Sequence, residues 1–457
     1  MKRLLLVFIT IIFTSCSFDK KTGIWQDASN IPVDNQVTES ISDNQPGTKY
    51  ESIFVKNKPF NEEKKPVNTS DSKISAPTKL INWFEQYATQ TNNISNFSYS
   101  DNKILLSKSS KLSKHPSSKN YTKRKILFYK NNLISHDHKG TIFIYSLSLN
   151  KKITEYNFYK KNFKKFNKEI NLIINKNILY AADNLGYLYA LNLDDYSIVW
   201  AKNYGIPFRS NLKFSNNQIF LANQDNVIYS INSSTGEKKW QFSSSLTFLK
   251  SDFENNFVLD LINNNLIFLN TSGELYSINF LTQKVNWVLN FKSSSQAGDA
   301  VLFLSQPLVL KNNNLIITTD QAVLSYNILM ATKNWNLSAE SAFKPIITSN
   351  YTYVILKNDL LICLDNLTGN VIWSKNIFTN TPIKKIKHKF GSIADFKIVN
   401  SKINIYSSNG YLLSFDISKG SLVYSNKISK KGINSEIVFL NDSMLLIDSN
   451  NKLLKFN

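Results

Sequence analysis

The chain has 457 residues, with 54 Lys and Arg against 33 Asp and Glu and 13% aromatic side chains. That length exceeds the roughly 250–300 residues one hydrophobic core serves, a limit that a radial repeat escapes because each unit packs only on its neighbours. The net charge of +21 comes mostly from Lys scattered among Asn and Ile, which reads as a solvated surface rather than a nucleic-acid-binding face, and two cysteines with no CxxC exclude a cysteine zinc site or a thioredoxin-like pair.

The first predicted element is an export signal, residues 1–15. Lys2 and Arg3 precede an apolar stretch from Leu4 to Phe13, too short to span a bilayer and the right length for a signal core. Thr14-Ser15-Cys16 then resembles the lipobox of bacterial lipoproteins, with Phe13 departing from the usual Leu. The resemblance implies that Cys16 is lipidated. With Ser17 rather than Asp after it, it also implies an outer-membrane protein facing the periplasm.

Residues 16–78 are rich in Lys, Asn, Ser, Asp and Pro and read as a disordered periplasmic tether, with an r.m.s. reach of roughly 45 Å. Gly23-Ile24-Trp25 interrupts it as a docking motif or an unselected remnant.

Residues 79–457 are organised by a repeat. A nine-residue step from an apolar strand residue to an aromatic one recurs as Leu147–Tyr156, Leu191–Trp200, Ile231–Trp240, Ile278–Trp287, Tyr326–Trp335, Leu364–Trp373 and Phe415–Tyr424, with 38 to 51 residues between successive aromatics. That period belongs to four-stranded propeller blades. In the third copy, strands are predicted at Arg209 to Phe214, Gln218 to Ala222, Val227 to Ile231 and Lys238 to Phe242, with a Gly236 turn between the last two.

Lys79 to Phe84, ending on Trp83, resembles a fourth strand without its partners, and Asn451 to Phe456 a third strand without its successor. Joining them makes an eighth blade. The expected fold is therefore all-β, an eight-bladed β-propeller of four-stranded antiparallel blades, closed by N- and C-terminal strands sharing one blade. An aromatic repeated once per blade is inter-blade packing rather than a binding group.

The form Ile228-Tyr229-Ser230-Ile231-Asn232-Ser233-Ser234-Thr235-Gly236-Glu237-Lys238-Lys239-Trp240 resembles the pyrroloquinoline quinone (PQQ)-like repeat. Together with the lipobox and the blade count, the chain resembles the BamB family of outer-membrane lipoproteins. The resemblance implies a non-catalytic scaffold without cofactor or metal, a monomer within a hetero-oligomeric complex. It would dock on the POTRA domains of BamA alongside other assembly subunits and aid insertion of unfolded outer-membrane proteins.

The family's docking loops correspond to Ser243 to Glu254 and Lys292 to Gln306. The matching residues are Leu246, Phe248 and Lys250 in the first. In the second they are Asp299, with Leu302 and Leu304 where the family has acids, and Phe303 or Leu304 offering an apolar contact instead.

Two other readings compete with this one. A PQQ-dependent dehydrogenase of the same superfamily needs Ca²⁺-binding carboxylates and often a vicinal Cys pair. Here there is no vicinal pair, and Asp183, Asp225, Asp320 and Asp359 recur at turns as turn formers. An envelope polysaccharide- or lipid-binding propeller would use Lys160 to Lys168 or Lys384 to Lys389, for which solvated loops are the simpler reading. His136-Asp137-His138 offers too few ligands for a metal and reads as a turn.

Overall fold

The computed structural model describes residues 16–18, 25–27, 49–50, 58–66, 74–115, 125–159, 163, 165–244, 256–291, 303–379 and 381–457. Residues 1–45 form one unit, in which Cys16–Phe18 pairs antiparallel with Trp25–Asp27. Residues 46–457 form the other, a ring of eight blades of four antiparallel strands each. Blades 1 to 7 span residues 127–157, 170–203, 213–243, 257–290, 309–338, 346–376 and 393–427, each with strands in sequence order. First strands of neighbouring repeats approach one another and so line the axis. Turns between first and second strands, and between third and fourth, therefore share one face of the ring. The remaining hairpins and the blade-to-blade connections share the other.

The repeat has a structural cause. In blades 2 to 7 the fourth strand carries a one-residue bulge just before its aromatic, which faces a small residue of the third strand: Ala190 faces Trp200, Ser230 Trp240, Ser277 Trp287, Ser325 Trp335, Cys363 Trp373 and Ser414 Tyr424. A small side chain opposite leaves room for the ring, and the bulge sets the nine-residue step. Cys363, buried, fills one of these small-residue slots.

The indole then reaches the next blade. Trp200 Nε1 donates to Ser233 O (2.9 Å), Trp287 Nε1 to Ile328 O (2.8 Å) and Trp335 Nε1 to Asn366 O (2.9 Å). Each acceptor lies in the following blade's turn between third and fourth strands. A Cβ on Gly236 would stand 2.6 Å from the Trp200 ring, and its φ of +70° already favours glycine.

Two predicted positions differ. In blade 1 the bulge lies opposite Ile144 and Tyr145, and Ile144 faces Thr154, so Thr154 occupies the aromatic's place. Tyr156 pairs with Ile142 instead, its ring tilted against Phe158 with the centroids 4.5 Å apart. The nine-residue step from Leu147 counts from a turn rather than from a strand.

In blade 8, Val438–Leu440, Ser443–Ile447 and Lys452–Phe456 are completed by Leu105–Lys111, not by residues 79–84. The closing strand is Ser- and Lys-rich and largely exposed, and Lys455 faces Ser107 there. Trp83, fully buried, bridges to Phe128 on the innermost strand of blade 1. Its backbone pairs on the axial side of blade 1, so the indole packs among the inner strands, stacked on Phe97.

Candidate functional site

The axis, where a ring of this kind can hold a ligand, is occupied by the chain itself. Residues 83–100 circle it once, meeting the innermost part of every blade in order. Trp83 exchanges two backbone hydrogen bonds with Phe128 in blade 1, and Phe84 O accepts from Ile174 N in blade 2. Lys213 Nζ of blade 3 donates to Thr89 O. Gln90 O accepts from Leu259 N in blade 4, and Thr91 O from Leu310 N in blade 5. Asn93 and Ser95 bond to Ile347 of blade 6. Phe97 bonds Ile398 and Asn400 in blade 7, and Ser98 and Ser100 bond Asp442 in blade 8. The segment follows the curve with Tyr87, Ala88 and Asn92 at positive φ.

Its charges are compensated locally. Lys213 Nζ, wholly buried, lies 2.5 Å from Glu85 Oε2 and also donates to Asn92 Oδ1 at 2.8 Å. Asn92 Nδ2 in turn donates to Phe257 O and Leu308 O. Burial pushes the Glu85 carboxyl up and the Lys213 ammonium down. A desolvated pair holds together only with such extra hydrogen bonds.

Beside it a cavity of about 200 Å³ opens among Gln86, Tyr87, Lys125, Lys344, Asp395 and Glu436. Lys344 Nζ donates to Asn92 O (2.9 Å) and Pro345 O (3.2 Å), and burial, with Lys397 nearby, pushes it down to about 7. Asp395 pairs with Lys397 at 3.2 Å and accepts from Ile437 N at 2.7 Å.

Among the described residues, no group of three His, Cys, Asp or Glu could hold a metal. The Asp137 carboxylate accepts from Lys139 N, Thr141 N and Ser113 Oγ. Asp183 accepts from Leu185 N, Tyr187 N and the Tyr159 hydroxyl. Both serve their own turns.

The predicted docking inserts leave blades 3 and 4 on the connection face. Leu246, Phe248, Lys250, Asp299 and Leu302 lie outside the described residues. Phe303 is not a surface residue: it is buried against Gly273 and Phe291, with its N–H donating to Thr271 O. Its neighbour Leu304 is exposed. The alternation Val301 to Leu304 shows an apolar run but not which member turns inward.

The basic stretches also differ from solvated loops. Lys168 is buried, its Nζ capping Phe163 O and Phe166 O. Lys384 to Lys389 falls within a helix, Thr381–Phe390, whose last-turn Lys387, His388 and Lys389 suit its negative dipole end.

Some of the residues predicted to lie in the tether hold the ring from outside. Lys49–Tyr50 pairs in parallel with the outer strand of blade 4. Phe60 N donates to Ser338 O, and Lys64 and Ser374 exchange backbone hydrogen bonds.

Comparison with known proteins agrees with this architecture. A family model described as outer membrane protein assembly factor BamB matches residues 161–375 and 300–457. An outer membrane protein assembly factor BamB of Legionella pneumophila is 33% identical over 72 residues, 16% of this chain and 18% of that protein. The protein of the same name from Yersinia pestis is 18% identical over 269 residues, 54% of this chain and 63% of the relative. The chain thus spans less than two thirds of the length of these curated relatives.

The crystal structure of BamB from Moraxella catarrhalis superimposes with a TM-score of 0.61 at 10% identity, covering 78% of this chain and 99% of that one. That likeness shows the fold, and the family match spans blades 2 to 8. The chain belongs to the family of outer membrane protein assembly factor BamB.

Proposed function

We propose that this protein is a non-catalytic scaffold of outer-membrane β-barrel assembly. It would be anchored by lipid on Cys16 and dock on BamA through the connection face that carries the inserts after blades 3 and 4. The observation that carries the reading is family membership across most of the ring. The axis supports it: the space a PQQ-type cofactor would need is taken by residues 83–100, whose Glu85 is already paired with Lys213. Leu304, exposed at the end of the second insert, is the described residue placed for an apolar contact there, in place of the family's acids.

One experiment tests both parts. Affinity capture from envelope membranes in mild detergent is expected to recover BamA, and the Cys16→Ser protein is expected in the soluble periplasmic fraction. Recovery of unrelated partners only, or dye-coupled alcohol oxidation on adding PQQ and Ca²⁺, would overturn the scaffold reading. Membrane retention of Cys16→Ser would remove the anchor.

A further inference from the structure

The face opposite the inserts has one sector unlike the rest. In blades 4, 5 and 6 its turns are residues 261–264, 280–283, 312–313, 328–331, 349–350 and 366–370, and none is Asp, Glu, Lys or Arg. Equivalent turns elsewhere carry Lys130, Lys176, Asp194, Asp195, Glu237 and Lys419. In a chain of net charge +21, three consecutive blades with uncharged turns leave that sector without the charges its neighbours carry there, the nearest being Asp260, Lys284, Lys311, Lys333 and Asp365 at the strand ends.

The same turns raise apolar side chains. Ile262, Leu281, Leu329, Met330 and Leu367 are each at least 50% exposed. Leu281, Leu329 and Leu367 stand at one position of the repeat, two residues after an Asn or Asp. Blades 2, 3 and 7 have Asp194, Ser234 and Ser418 there.

Each leucine is held by the same hydrogen bond. The N–H of Leu281 donates to Asn279 Oδ1 (3.1 Å), that of Leu329 to Asn327 Oδ1 (2.9 Å) and that of Leu367 to Asp365 Oδ1 (3.0 Å). Ile262 N donates likewise to Asp260 Oδ1 (3.1 Å). These side chains are thus presented on rigid turns, so little ordering cost remains to be met on binding.

Between the tips of blades 5 and 6 runs a groove of about 320 Å³ lined by Asn312, Asn313, Asn327, Asn334, Thr348 and Leu367, among others. Its one cation, Lys311, turns its Nζ away to Ser95 Oγ at 2.8 Å. Carboxamides offer donors and acceptors together, which is what the backbone of an extended peptide presents. Asn327 Oδ1 already accepts from Leu329 N and Met330 N, and Asn334 Nδ2 donates to Ser325 Oγ, so the carboxamides of Asn312 and Asn313 are the ones a bilayer would leave unpaired, while the turns themselves offer an acidic or basic ligand no opposite charge.

We propose that this crest and groove form a docking surface for an extended, uncharged polypeptide segment whose apolar side chains alternate. Its backbone would lie on the asparagines and its side chains against the leucines. The surface lies on the opposite face from the inserts and requires neither the lipid anchor nor BamA.

The test is fluorescence anisotropy of the full chain with a labelled decapeptide alternating Val and Thr. The control is the same peptide with Glu for Thr. The wild-type chain is expected to bind the first at least tenfold more tightly than the control. The Leu281→Ser/Leu329→Ser/Leu367→Ser variant is expected to lose at least tenfold. Serine already stands at this position in blades 3 and 7, and an unchanged melting temperature would verify folding. Ser418→Leu, extending the crest by one blade, is expected to tighten binding about twofold.

No binding by the wild-type chain, or equal binding by the folded triple variant, overturns the proposal. So does a crest-dependent flotation with phosphatidylcholine vesicles, or crest-dependent self-association, without peptide binding.

Discussion

Lys344 shows how one side chain at the axis should set a pH dependence. Its ammonium lies against Asn92 O and Pro345 O and is pushed down to about 7, by burial first and by the neighbouring Lys397 next. An unfolded chain keeps an ordinary Lys near about 10.4. Between those values the unfolded state binds a proton that the folded ring does not, so stability rises with pH from about 7 upward, and the full cost applies below it. The urea midpoint of the wild-type chain is expected to climb from pH 7 to 9, and that of Lys344→Met to lose the climb. Parallel curves for the two proteins would assign the dependence to another group. None of this was legible beforehand: Lys344 stands between two blades' patterns, and only ring closure brings Asn92 to it.

At the scale of the element, the joint between blades depends on an aromatic ring seated on the next blade's turn. Gly236→Ala introduces a Cβ 2.6 Å from the Trp200 ring at a φ of +70° and is expected to cost about 1–3 kcal/mol. Trp200→Ala, which loses the ring and its bond to Ser233 O, is expected to cost about 3–5 kcal/mol. The two share one contact, so the double variant should fall short of their sum; strict additivity in a denaturation cycle would show that they act apart. This joint was largely legible, because a Trp and a turn Gly at constant spacing mark a repeated packing unit. Blade 1 was misread for the same reason, since Tyr156 matches the spacing while Thr154 holds the place.

At the scale of the whole molecule, the N-terminal segment binds the ring together from within before completing blade 8 at Leu105–Lys111. Replacing residues 85–96 by a Gly-Ser linker of equal length removes Glu85 from the buried Lys213 and disturbs the backbone groups that the segment bonds in blades 4 to 6. Losing one partner of a buried pair alone costs about 3–5 kcal/mol. The melting temperature is expected to fall by at least about 5 °C, with hydrogen exchange accelerated at Leu259 and Leu310. Unchanged exchange at those amides would mean that the axial segment closes the channel without supporting the ring.

The residue pattern by itself determined the blade, the number of blades and the sharing of one blade by both ends, because strand alternation, turn chemistry and the small residue opposite each aromatic are local and recur. It also marked the inserts as departures from the repeat. Only the tertiary structure decided which segment closes the ring, that Trp83 lies on the axis and that Phe303 faces inward. Only the ring made one surface of three leucines 38 to 48 residues apart. Residues 83–100 carry no period because they follow a circle of eight different partners, and a segment shaped by its surroundings leaves no regular trace in its own sequence.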